Sequence, residues 1–202
     1  MPLLNLGSNR IVLASQSPRR IELLKKIIPE FEVKVSDIEE DNNGITIPWK
    51  LVEQLSRQKA ENVARQIPDG IIIGADSVVV LDGKALGKPK DNYDSFNMLN
   101  LLSSRVHQVY TGFTIIKKPQ HVVISDHEVT DVKFRKLETW EIEKYIKSSQ
   151  PLDKAGSYGI QDDGAVFVEF IKGCYYNVVG LPITKLFLAL KKLLENNQNC
   201  SL

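Results

Sequence analysis

The sequence predicts an α/β fold, on three observations. The chain opens as strand, tight loop and helix; a run of three isoleucines ended by Gly74 has the character of a strand buried on both faces; and helical apolar spacing alternates with β-rich stretches along its length. Residues 10–14 read as a short buried strand, after which Ser17 and Pro18 supply an N-cap and a first-turn proline. The helix they start carries Ile21, Leu23, Leu24, Ile27 and Ile28. Residues 31–36 alternate as a strand does, and residues 37–44 form a polar loop. Pro48 begins a second helix, with Leu51, Val52, Leu55 and Val63 at helical spacing. Ile71, Ile72 and Ile73 form the central strand, Asp76 is expected where that strand ends, and residues 78–81 continue as a strand toward the turn at Asp82 and Gly83. A helix over residues 92–102 precedes two β-rich stretches, 106–117 and 121–134, which the turn-like Lys118-Pro119-Gln120 joins as a hairpin. Helices over 139–147 and 183–196 flank a Gly-rich segment, 153–173, with a strand over 165–171.

Composition narrows what such a fold can do. At 202 residues the chain suits one domain, of one or two lobes, better than two independent domains. Its 43% apolar and 25% charged residues exclude a disordered or fibrous chain. Twenty-six basic against 25 acidic residues leave a formal charge of +1, too little to draw nucleic acid or an acidic membrane to the surface as a whole. Anion binding must therefore be local. The two cysteines, Cys174 and Cys200, make no CxxC pair, so neither a disulfide framework nor a cysteine zinc site is indicated and a reducing compartment is expected. The apolar beginning is broken at Gly7, Ser8, Asn9 and Arg10, unlike a signal peptide or a membrane span, and the C-terminal residues match neither a peroxisomal nor a prenylation address. A cytoplasmic protein is expected.

Four segments carry residues fit for chemistry. In Ser15-Gln16-Ser17-Pro18-Arg19-Arg20, two arginines occupy the first turn of a helix, where cations oppose the macrodipole. An anion resolves the conflict, because backbone N–H groups, the Ser15 and Ser17 hydroxyls and two guanidinium groups would converge on one phosphate. Solvation, or pairing with Glu22 and nearby acids, is the competing reading. Asp76, after the isoleucine run, can hold a divalent metal or accept a proton from water, or simply make an Asx turn with Ser77. Glu39 and Glu40, in the polar loop, are potential partner acids. Lys88, between the permissive Gly87 and the rigid Pro89, either presents its ammonium in a defined place or lies in a plain turn, and Lys59 on the second helix can reach a phosphate or point to water. Finally, Asp153 to Gln161 places a charged pair, two glycines and an amide in nine residues. Gln161 offers a donor beside an acceptor, which matches the imide edge of uracil or thymine and equally a loop's own backbone. No Walker phosphate loop, dinucleotide fingerprint, HExxH, EF-hand or GxSxG elbow is present, and the three histidines, His107, His121 and His127, read as core or surface residues.

LASQSPRRIELL at 13–24, IGADSVV at 73–79, LGKPKD at 86–91, DKAGSYGIQ at 153–161 and VVGLP at 178–182, in that order and spacing, resemble the Maf family of nucleotide pyrophosphatases over residues 11–190. The resemblance implies an elongated α/β fold of the inosine-triphosphatase-like (Maf/HAM1) type: a mixed, twisted sheet with flanking helices, a cleft between two lobes, and a homodimer. It implies hydrolysis of a nucleoside triphosphate to monophosphate and pyrophosphate with magnesium, manganese or cobalt. By position, Asp76 is then the proton acceptor and a metal ligand, Glu40 a metal or water ligand, and Arg19, Arg20, Lys59 and Lys88 phosphate contacts, with Glu40 and Lys88 counted with Asp76 in the catalytic set. Ser15 and Ser17 match the phosphate loop and Lys154 the DKAG lysine, while Arg19, Arg20, Ser77 and Gln161 fall at positions tied to substrate choice. Gly159-Ile160-Gln161 is similar to the dTTP/UTP branch rather than the 7-methyl-GTP branch. Ser77 for threonine, Ser157 for alanine or glycine and Asp162 for glycine depart from that branch and leave CTP and modified pyrimidine nucleotides within the substrate class. The family's association with division arrest and septum formation supplies a rival reading, a non-enzymatic nucleotide-binding regulator. The acids and bases retained together favour the enzyme.

Overall fold

The structure is a computed structural model that describes residues 4–38, 44–148 and 151–198. Seven strands form one mixed sheet in the order β2-β1-β3-β5-β6-β7, with β4 paired to β3 off that path. The strands are β1 (Ile11–Leu13), β2 (Glu32–Val33), β3 (Gly70–Leu81), β4 (Lys84–Leu86), β5 (Val106–Lys118), β6 (Val122–Phe134) and β7 (Val168–Lys172). The helices are α1 (Pro18–Lys25), α2 (Pro48–Ala64), α3 (Asn92–Leu102), α4 (Thr139–Ser148), α5 (Tyr175–Val179) and α6 (Ile183–Gln198). β1 lies parallel to β2 and β3, and the hairpin of β5 and β6 continues the sheet antiparallel on the other side of β3. Among the described residues no helix is long and apolar enough to cross a membrane.

Side chains alternate across the sheet, so each face collects its own core. Ile71, Ile73 and Ala75 pack with α1 and α6 through Leu23, Leu24, Leu186 and Leu190. Farther along the same face, Val79 and Leu81 pack with α3 and α4 through Leu99, Leu102 and Ile142. Between these two clusters stand Ser77 and Thr111, hydrogen-bonded to each other at 2.8 Å. On the opposite face, Ile72 packs beneath α2 with Ala60 and Val63.

Several expected boundaries move. Only Glu32 and Val33 of the strand expected over residues 31–36 pair in register with β1; Phe31 packs against the core, whereas Val33 and Val35 are exposed. The strand expected from residue 165 starts at Val168, because Asp163–Phe167 winds as a 3-10 turn whose Gly164 N–H is capped by the Asp162 carboxylate at 2.8 Å. Ile27 and Ile28 lie beyond α1 in a turn closed by bonds to the Leu24 carbonyl. The largest correction concerns Asp76. Gly70–Leu81 is a single strand paired with β5 without a break from Gly70 to Val80, so Asp76 lies in mid-strand rather than at a strand end.

Candidate active site

A gap in the sheet, not the end of β3, exposes Asp76. On one edge of β3, β1 pairs with Ile71–Ile73 and β4 with Val79–Leu81. Among the described residues no strand pairs with residues 74–78 on that edge, and the chain there faces a cavity of about 500 Å³. Asp76 and Ser77 point to opposite faces of the strand at this gap, so the opening receives groups from both layers.

On one face, α2 supplies Lys59. Its Nζ lies 2.5 Å from Asp76 Oδ1, and both side chains are largely buried. Two glycines set the height of the helix. A Cβ on Gly74 would come within 2.3 Å of the Ser56 carbonyl, and one on Gly112 within 2.4 Å of the Val52 carbonyl. Any side chain at either position would lift α2 and separate Lys59 from Asp76. Gly112 pairs with Asp76 in register, so the bare backbone needed for close approach lies beside the carboxylate.

On the other face, α1 supplies the two arginines. Ser17 holds the N-cap position and Pro18 begins the helix, yet the Ser17 side chain makes no capping bond and no acidic residue stands in the first turn. Ser15 accepts instead from the Ser17 N–H at 3.2 Å. Arg20 reaches across to the Gly180 carbonyl at 2.9 Å, Ser77 Oγ at 3.2 Å and Ser15 Oγ at 3.4 Å. Its charge is thus fixed between two hydroxyls and a carbonyl. Arg19 pairs with Asp153 at 3.3 Å, which links α1 to the opposite wall. Burial opposes ionisation of Asp153, but Lys154 and Arg19 outweigh it and hold the carboxyl below its ordinary value.

The opposite wall is the irregular segment from Asp153 to Gln161. Lys154 is held by Asp153 at 2.9 Å and Asp162 at 3.3 Å. Tyr145 of α4 accepts from the Gly159 N–H at 3.1 Å and donates to Asp162 at 3.2 Å. Tyr158 meets His107 Nε2 at 2.8 Å deep under the sheet. Burial, and then Asp162, raise the Tyr145 phenol above its ordinary value, and burial does the same for Tyr158, so both remain neutral hydroxyls. Burial lowers His107 to about 4, which keeps the ring uncharged at neutral pH. Tyr145, Tyr158 and His107 support this wall; the sequence singles out neither tyrosine, and His107 reads there as a core or surface residue. Asp162 was visible as a departure, without its role as cap and ion-pair partner.

Of the residues singled out from sequence, Ser17, Arg19, Arg20, Lys59, Asp76, Ser77, Lys88, Lys154 and Gln161 all line this one cavity. Ser15 stands behind them as a partner of Arg20. Glu40 lies outside the described residues. Lys88 and Gln161 are exposed at the cavity, and the Gly87 carbonyl accepts from the Gly156 N–H at 3.0 Å, which ties the lysine's turn to the irregular wall. Five cationic side chains and two carboxylates line the cavity, so a protein of nearly neutral net charge carries a concentrated positive site. Apolar side chains, among them Leu51, Val109 and Val178, complete it. The donor set suits a hard divalent cation such as magnesium, which uses one or two carboxylates together with substrate phosphates and water. Of the two carboxylates, Asp76 is paired with Lys59 and Asp153 with Arg19 and Lys154.

Fold and cavity together define an α/β protein with a cation-lined site for a polyanion that carries an apolar or aromatic group. Residues 10–193 match the family model described as Maf-like protein, and the chain belongs to the Maf family. It is 51% identical over 183 residues to a dTTP/UTP pyrophosphatase of Carboxydothermus hydrogenoformans, covering 91% of this chain and 98% of that protein. A dTTP/UTP pyrophosphatase of Ruminiclostridium cellulolyticum is 49% identical over 186 residues, covering 92% and 96%. One of Clostridium perfringens is 47% identical over 188 residues, covering 90% and 96%. Among solved structures, the Staphylococcus aureus Ham1 protein aligns with 62% of this chain and 72% of its own, at 18% identity and a TM-score of 0.47.

Proposed function

We propose that the protein is a nucleoside triphosphate pyrophosphatase that hydrolyses dTTP and UTP to the monophosphate and pyrophosphate. The observation that carries this reading is the enclosure of Asp76 with five cations in one cavity. The relatives named dTTP/UTP pyrophosphatase, matched over nearly their whole length, support the substrate class. In this reading the chain works as a single unit with two lobes around the cleft.

Water attacks the α-phosphorus. Its oxygen forms the new P–O bond, the bond to the bridging oxygen breaks with its electron pair leaving on pyrophosphate, and Asp76 takes the proton. Lys59 fixes the carboxylate and, with Arg19, Arg20, Lys88 and Lys154, offsets charge along the phosphates and on the departing group. Ser15 and Ser17 present hydroxyls and backbone N–H groups at the start of α1, where an anion relieves the placement of two arginines in the first helical turn. Phosphoryl transfer asks mainly for positioning and charge stabilisation, which this residue set supplies. Asp76, together with Glu40, would hold a divalent magnesium, manganese or cobalt ion, which supplies further charge neutralisation. Ser77 and Gln161 face the base and sugar end, with Gln161 reading the imide edge. Cytoplasmic residence and a homodimer, expected from cysteine usage and the family resemblance, belong to the same reading.

The test is a panel of nucleoside triphosphates with magnesium or manganese, given to the protein and its Asp76→Asn variant. Pyrophosphate and monophosphate from UTP and dTTP are expected, with turnover in the variant reduced about 10³-fold while its circular dichroism is unchanged. No pyrophosphate from any nucleotide, with nucleotide binding intact, would refute the reading in favour of a regulator. Gln161→Glu sets a carboxylate against carbonyl O4 and is expected to weaken UTP and dTTP use about tenfold; an unchanged nucleotide profile would remove Gln161 from base recognition.

A further inference from the structure

Asp76, Gly112 and His127 stand in consecutive register across β3, β5 and β6. Because α2 rests on the bare backbone of Gly112, the helix covers both neighbours, with Lys59 on Asp76 and Glu53 on His127. The second contact lies outside the cavity. His127 Nδ1 is 2.7 Å from Glu53 Oε1, and the carboxylate of Asp126 stands close by, so that one potential ligand atom from each of Glu53, Asp126 and His127 lies within 4.8 Å of the others. β7 pairs with β6 only over residues 131–134, leaving β6 as the sheet's outer strand at Asp126 and His127 among the described residues. Both carboxylates and the imidazole are partly exposed, open to an ion and to its water.

We infer that Glu53, Asp126 and His127 form a second, non-catalytic metal site for a first-row transition ion such as Zn²⁺, which ties helix α2 to the edge of the sheet. Three features of the site argue for it. The ligand set is mixed, one imidazole with two carboxylates, which suits zinc or a neighbouring transition ion better than magnesium. The imidazole is already oriented by Trp49, which stacks on it at 5.5 Å between ring centroids, while Lys185 bonds the His127 backbone carbonyl at 2.6 Å and ties the strand to α6 there. The site also joins separate elements, since Glu53 comes from α2 and the other two from β6. Metal–ligand bonds of about 2.0–2.2 Å set ligand atoms about 3.5 Å apart, so His127 Nδ1 and Glu53 Oε1 move apart from 2.7 Å while Asp126 draws in, adjustments that side-chain rotation provides. Lys185 lies 4.0 Å from Asp126 and 3.7 Å from Glu128, so its ammonium shifts toward Glu128 when the ion arrives.

This inference is independent of the pyrophosphatase reading and can be tested without nucleotide. The full-length protein, stripped with chelator, competes with a chromogenic chelator for Zn²⁺, alongside the His127→Ala, Glu53→Gln and Asp76→Asn variants. The wild type and Asp76→Asn are expected to share one equivalent of bound Zn²⁺, whose affinity is reduced at least tenfold in His127→Ala and Glu53→Gln. Zn²⁺ is expected to raise the Tm of the wild type and not that of His127→Ala. Glu53→Gln keeps a hydrogen-bond partner for His127 and so guards against a variant that merely fails to fold. No Zn²⁺ bound by the wild type, unchanged binding in both site variants, or loss of binding in Asp76→Asn would each overturn the proposal.

Discussion

The two walls of the cavity are built by different means. The sheet wall, with Asp76, Ser77, Lys59 and Arg20, draws its side chains from a strand and two helices, and packing against backbone fixes their positions. The loop wall, from Asp153 to Gln161, has 3-10 turns and little regular pairing, and is held by buried hydroxyls and ion pairs: Tyr145 to Gly159 and Asp162, Tyr158 to His107, Lys154 to two aspartates. The difference suits a division of labour. In the proposed reaction, groups that must meet the phosphorus benefit from rigid elements, while a segment proposed to read the base can vary its loop without disturbing the sheet.

Substitutions on the two walls should therefore separate kinetically. Lys59→Met is expected to have the largest effect of those that spare Asp76, lowering kcat about 10²–10³-fold with little change in KM. A change in KM alone would show that Lys59 serves binding rather than the reacting carboxylate.

The loop wall should reveal itself through stability. His107 titrates at about 4 in the fold against an ordinary 6.5, because burial disfavours its charged form. Between those values the unfolded chain binds a proton that the folded chain refuses, so stability is lost as pH falls from about 6.5 to about 4 and levels off below. At pH 5 the loss attributable to this residue is about 2 kcal/mol. Urea unfolding at pH 7 and pH 5 should show that increment in the wild type and not in His107→Gln; an equal loss in both would place the acid sensitivity elsewhere. Tyr145→Phe is the mildest change. It leaves the Gly159 N–H without its acceptor, costs about 1 kcal/mol, and is expected to raise KM for UTP a few-fold with kcat nearly unchanged. A fall in kcat equal to that of Lys59→Met would erase the distinction between the walls.

How much of this could be read in the sequence follows the same division. The sheet wall was legible because short motifs carry it: Ser15 to Arg20 sit on one strand-to-helix turn, and the isoleucine run announces the strand that presents Asp76. Even there, Asp76 was expected at a strand end. The gap left by β1 and β4 on the neighbouring edge is a matter of pairing between distant segments, which no local pattern of β3 reveals. The glycines that seat α2 were equally hidden, since Gly112 looks like any other residue of a hairpin strand until the helix lies on it. On the loop wall the glycines, the charged pair and the Gln161 amide are legible, but not what holds them. Tyr145 fits the apolar face of α4, and its hydroxyl acquires a purpose only when the segment around Gly159 folds back onto it.

The central claim, attack of water at the α-phosphorus with pyrophosphate as the leaving group, is tested most directly by hydrolysis of UTP in ¹⁸O-labelled water followed by mass spectrometry of both products. The label is expected in the uridine monophosphate and not in the pyrophosphate. Label in the pyrophosphate, or release of inorganic phosphate with uridine diphosphate, would place the attack at another phosphorus and contradict the account.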